Sequence, residues 1–203
     1  MPNMRKSSLL FFLFILTSCG NKTFETPEKL AKYINDEENQ YKYSKTISGV
    51  EYVLTYRPTD LIVQQELVNK KDIKQIELAR KKYSKYMYFN LSMSMNDKEL
   101  LSNVAGDKAK FGQMVNDLAF GMEEKVNLYT PQKDTLTMTD FIYPRMYGMT
   151  KSTSIMIVYP RDKKYLDNEY LNFTIQDLGL YTGEVKFKIN TKAILSEPEL
   201  KFN

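Results

Sequence analysis

The sequence contains no histidine, no tryptophan and a single cysteine in 203 residues. Without histidine, Ser-His-Asp and Cys-His catalysis are excluded, and so are histidine-based zinc and iron sites. One cysteine cannot close a disulfide within the chain, so the fold must be held by its core alone, which a chain of this length can supply. The missing tryptophan removes the side chain most often set flat against sugar rings and cations. Phosphate-loop and dinucleotide glycine patterns are absent, as is Gly-x-Ser-x-Gly. There is no repeat of solenoid length and no long low-complexity tract. Catalysis is left to Asp, Glu, Lys, Tyr and Ser.

Long apolar runs are scarce too, and the one present is informative. Leu9-Leu10-Phe11-Phe12-Leu13-Phe14-Ile15-Leu16 follows Arg5 and Lys6 and gives way to small residues, the order of a secretory signal. It is too short for the roughly 20 apolar residues that cross a bilayer, and it lacks the polar side of a core helix. Its last residue and the next three, Leu16-Thr17-Ser18-Cys19, resemble the lipobox of bacterial lipoproteins: an aliphatic residue, two small ones, then cysteine. The resemblance implies cleavage before Cys19, which becomes the lipid-bearing first residue of the mature protein. Such proteins carry several acyl chains, and at about 0.8 kcal/mol per buried methylene that anchoring is effectively stable. Acylation would also remove the one thiol. Gly20 stands where an aspartate would retain a lipoprotein of a double-membraned bacterium at the inner membrane. The resemblance therefore implies an outer-membrane location facing the periplasm, with surface exposure left open. A cleaved, non-lipidated signal is the alternative.

The chain divides accordingly into a signal peptide (1–18), a lipidated tether (19–25) and a single domain (26–203). Without Arg5 and Lys6, 27 basic side chains face 25 acidic ones, a net charge of +2 with no clustered basic face, which argues against a nucleic-acid partner. With 42% hydrophobic and 13% aromatic residues, the domain is too apolar to be disordered.

Thr26-Pro27 opens a helix as hydroxyl cap and first-turn proline; Leu30, Ala31, Tyr33 and Ile34 form its stripe before the solvated exit Asp36-Glu37-Glu38. Tyr41–Ile47 and Val50–Tyr56, split by Ser48-Gly49, read as a hairpin. Thr59-Asp60 caps a helical region. Ile73, Ile76, Leu78 and Ala79 continue the helical period to Lys82. Met87, Phe89, Leu91, Met93 and Met95 alternate with polar partners as a half-buried strand. Phe111, Met114, Val115, Leu118, Ala119 and Met122 make the stripe of a helix capped by Asp107. After Glu123 the pattern is strands: 125–130, 135–142, 153–159, 170–176 and 184–189. The expectation is α+β, one compact domain with helices mainly in the N-terminal half and an antiparallel sheet dominating the C-terminal half. A separate C-terminal β-sandwich is the alternative.

One local pattern recurs at strand ends: Tyr56-Arg57-Pro58, Tyr143-Pro144-Arg145 and Tyr159-Pro160-Arg161. On one rim, Arg57, Arg145 and Arg161 among Tyr56, Tyr143 and Tyr159 would bind a small anionic ligand, because guanidinium forks grip carboxylate or phosphate bidentately. Proline stopping strands and arginine solvating the exits explain the same pattern. Glu99, Asp140 and Asp177 are candidates for a carboxylate pair that would hydrolyse envelope polysaccharide or peptidoglycan, a reaction requiring a defined separation. The leading expectation is a non-catalytic, lipid-anchored envelope protein with a binding or structural role, no cofactor or metal, the membrane as one partner through Cys19 and an envelope protein as another.

Overall fold

The computed structural model describes residues 21–67, 72–146 and 148–202; the apolar run, the lipobox and Cys19 lie outside the described residues. The chain enters through a short strand β1 (Thr23–Phe24) and helix α1 (Pro27–Asn35), whose N-cap Thr26 accepts from the Lys29 N–H at 3.3 Å. Burial of Leu30 and Ile34 docks α1 on the core. Strands β2 (Lys42–Ile47) and β3 (Val50–Arg57) form the expected hairpin. Ser48 and Gly49 both have positive φ, at 51° and 77°, as a two-residue turn matched to strand twist requires. Pro58 ends β3, and two helices follow, α2 (Thr59–Glu66) and α3 (Ile73–Tyr83).

Strand β4 (Tyr86–Met95) spans about 30 Å at ~3.3 Å per residue. Its alternate residues Met87, Phe89, Leu91 and Met93 are fully buried. Helices α4 (Leu100–Val104), α5 (Lys108–Phe120, capped by Asp107) and α6 (Met122–Lys125) lead to β5 (Val126–Tyr129). Then come β6 (Thr135–Leu136), β7 (Asp140–Ile142), β8 (Thr153–Pro160), α7 (Lys163–Leu166), β9 (Tyr170–Ile175), β10 (Val185–Asn190), α8 (Thr191–Leu195) and β11 (Glu199–Leu200).

The strands build two antiparallel sheets, β2-β3-β4-β8-β7 and β10-β9-β5-β6, plus a small parallel pair in which β1 joins β11. The inner faces of the two large sheets share one core. An unbroken line of rings crosses it: Phe24–Tyr33, Tyr33–Tyr41, Tyr41–Tyr56, Tyr56–Phe89, Phe89–Phe173 and Phe173–Phe187, with centroids 5.0 to 6.5 Å apart. Phenylalanine and tyrosine at these spacings supply the large buried area that tryptophan does not.

The fold is thus α+β, with six of its eight α-helices before β5 among the described residues. The alternative of a separate C-terminal β-sandwich falls away, and two expectations need correction. The larger sheet takes β2, β3 and β4 from the N-terminal half, so facing sheets are assembled from the whole chain and not from a separate C-terminal unit. Residues 135–142 form two strands in different sheets: Leu136 pairs with Leu128 in one, and Ile142 with Met156 in the other. The intervening residues carry the chain across the core, with the Thr139 N–H bonding the Val158 carbonyl at 2.8 Å. In α3 only Ile76 and Ala79 are buried, and Ile73 and Leu78 face out, because α3 touches the body along a narrow seam.

Candidate functional site

At the end of the large sheet where β3 and β8 finish, Thr59, Asp60, Arg80, Arg161, Glu197 and Glu199 line an open pocket of ≈ 220 Å³. Asn21 lines it too and donates to Glu199 Oε1 at 2.9 Å, so the start of the described chain sits at this pole. The central group is Glu197, with a side chain 13% exposed. Its Oε1 accepts from Arg161 and from the Thr59 hydroxyl at 2.8 Å; its Oε2 accepts from the Tyr56 hydroxyl at 2.7 Å and the Thr59 N–H at 3.1 Å. A carboxylate offers about four acceptor positions, and all of them are occupied. Burial first, and the Glu197 charge next, raise the Tyr56 hydroxyl well above its ordinary value, so it stays a neutral donor.

Glu197 also replaces a cap. Pro58, at the cap position of α2, has no side-chain donor or acceptor to offer, and the Thr59 N–H is met by Glu197 from 138 residues away. The expected cap Thr59-Asp60 is corrected here: both residues lie inside the first turn and are buried. Asp60 accepts a fork from Arg80, at 2.7 and 2.6 Å, and the Leu200 N–H at 2.7 Å. Two arginine–carboxylate pairs thus fasten the C-terminal segment to β3, β8, α2 and α3.

At the opposite end of the sheet lies Glu99, 3% exposed and without a cation among the described residues. It accepts from the Thr150 hydroxyl, the Thr150 N–H at 3.1 Å and the Gly148 N–H at 3.0 Å. Burial pushes this carboxyl up, but the three donors outweigh it and hold it below its ordinary value. Gly148, at φ 80°, supplies the left-handed turn that aims its N–H at Glu99. The other sequence candidates are elsewhere: Asp140 is exposed and accepts from the Phe141 N–H, and Asp177 accepts from the Leu180 N–H at 2.8 Å.

The three arginines do not share a rim. Arg161 and Tyr56 meet at Glu197. Arg57 follows Tyr56, so strand alternation turns it to the other face of the sheet, half-buried beside Tyr88, with a buried Nε that has no hydrogen-bond partner among the described residues. Arg145 lies beyond β7, toward the Thr153 end of β8, exposed and stacked 5.9 Å from the Phe120 ring. Tyr143 packs on the core periphery, and Tyr159 is fully buried with an unpartnered hydroxyl. Period two separates Arg57 from Tyr56, and antiparallel pairing sends Arg145 and Arg161 to opposite ends. The residues that do build the pocket, Glu197, Asp60 and Arg80, carry no sequence signal, because their pairing spans up to 140 residues.

Comparison with protein-family models, curated proteins and solved structures returns no match to this chain. Among the described residues, no helix is long and apolar enough to cross a membrane.

Proposed function

We propose that this chain is a cell-envelope lipoprotein, anchored through acylated Cys19 to the outer membrane and facing the periplasm, that acts by binding or supporting an envelope partner and not by catalysis. The carrying observation is the state of the buried carboxylates. A hydrolase of the two-carboxylate kind needs one acid free to donate a proton and one free to attack or activate water. Here Glu197 has every acceptor position occupied, Asp60 is forked by Arg80, and Glu99 is held toward its charged form. These groups brace the fold.

The test is affinity recovery of the detergent-solubilised lipoprotein from envelopes, with identification of what co-purifies; a reproducible envelope partner is expected, and its absence counts against the binding role. In parallel, Cys19→Ala should abolish lipid labelling and release the protein. Continued labelling of that variant would overturn the anchor.

A further inference from the structure

We propose that the outer face of the β10-β9-β5-β6 sheet is a binding surface for an acidic polysaccharide. The inference rests on the envelope-binding role proposed above and gives it a location and a ligand class. The register sets two rows of side chains across this face: Lys186–Thr174–Asn127 and Lys188–Asn172–Tyr129. The lysines are exposed and Asn127 and Tyr129 half-buried, while the central Thr174 and Asn172 are buried, at 0% and 3% exposure.

Those two central residues are the anomaly. Asn172 Oδ1 and Thr174 Oγ1 are buried with no hydrogen-bond partner among the described residues, side by side on the same strand face. An unsatisfied buried polar group costs about 1–3 kcal/mol, so two neighbours without partners call for an explanation. The lysines around them rest on tyrosine rings and not on anions. The Lys186 ammonium lies 5.3 Å and Lys133 5.6 Å from the centre of the Tyr129 ring, and Lys188 lies 4.7 Å from that of Tyr170. None of the three has a carboxylate within ion-pair distance among the described residues.

The chemistry of the ligand follows from what each group lacks. Lysines donate only and need negative charge. Asn172 Oδ1 accepts only and needs an O–H or N–H. Tyrosine rings offer flat apolar area at low entropic cost. A chain of sugars bearing carboxylates supplies all three: anions for the lysines, hydroxyls for Asn172 and Thr174, and C–H ring faces for Tyr129 and Tyr170. A phosphate group brings acceptors alone, and the rows carry no protruding apolar side chain to enter a bilayer. Lysine stems beside Thr174 and Asn172 are flexible, and drawing their ammonium groups outward onto a ligand uncovers the two oxygens.

The experiment is calorimetric titration of the lipoprotein in detergent micelles with oligomers of polygalacturonate, alginate and hyaluronan. Neutral cello-oligosaccharide, phosphatidylglycerol vesicles and single-stranded DNA serve as comparison probes. Binding to at least one acidic glycan, weakened by salt and absent with the neutral one, is expected. The Lys186→Gln/Lys188→Gln double variant should lose about tenfold in affinity with an unchanged melting temperature. Thr174→Val should weaken glycan binding while raising the melting temperature, a pair of opposite shifts that a purely structural threonine would not give. Failure to bind all three acidic glycans, binding unaffected by the double variant, or lysine-dependent binding to vesicles or DNA alone would overturn the proposal. Recovery of an envelope protein partner alongside such a failure would remove the glycan surface and leave the binding role standing.

Discussion

Each end of the large sheet holds a largely buried carboxylate, and the two are stabilised by different means. Glu197 is matched by a cation, Arg161, and by three neutral donors that bring together β3, α2 and the C-terminal segment. Glu99 has no cation among the described residues and relies on a hydroxyl and two backbone N–H groups from one loop. A long-range partner can be a charge, because arginine reaches across elements. A local loop can surround an anion with dipoles, provided the backbone turns sharply enough. Both solutions make the ionised carboxylate a brace, and the first ties together segments far apart in sequence while the second secures one loop.

Breaking the charged end should have the largest effect. Arg161→Met leaves Glu197 buried without its counter-ion and should destabilise the protein by about 3–5 kcal/mol in chemical denaturation, with Glu197→Gln in the same background restoring part of it. At the neutral end, Glu99→Gln keeps the shape but turns one acceptor into a donor facing N–H groups, and about 2 kcal/mol should be lost. The neutral end also responds to pH. Glu99 is held below its ordinary value of 4.5 in the folded chain, so its contribution is complete above that value and is lost as pH falls through the lower folded one. Stability measured from pH 6 downward should therefore drop less steeply in Glu99→Gln than in the parent. Gly148→Ala, at a left-handed φ where an added Cβ would meet only the Ser102 hydroxyl, at 4.0 Å, should cost about 1 kcal/mol and loosen the same loop. As the small-effect reference, removing the exposed Lys82–Glu66 pair with Lys82→Ala should leave the denaturation midpoint where it is.

The parts of the fold that were legible are those where one segment carries its own instructions. The β2–β3 hairpin follows from two strand-forming runs around Ser48-Gly49, β4 from strict alternation, and α1 and α5 from Thr26 and Asp107 caps with apolar stripes. Residues 135–142 misled because a run of β-forming residues says nothing of which sheet it joins. Ile73 and Leu78 misled because helical period shows a possible apolar face, not whether anything covers it. The Arg-Tyr pattern misled for a simpler reason: proline at strand ends produces it wherever strands end.

What the sequence by itself determined is local or subtractive. It excludes histidine chemistry, marks its single cysteine, Cys19, within a lipobox-like stretch, and sets the caps, turns and alternations that depend on residues a few positions apart. What only the tertiary structure decided is pairwise and distant: Glu197 with Arg161 and Thr59, Asp60 with Arg80 and Leu200, and the meeting of Lys186 and Lys188 with Asn172 and Thr174 on one sheet face. The physical reason is that caps and hairpins are closed by neighbours along the chain, while ion pairs and sheet faces are chosen by packing, which brings together residues whose sequence separation carries no signal.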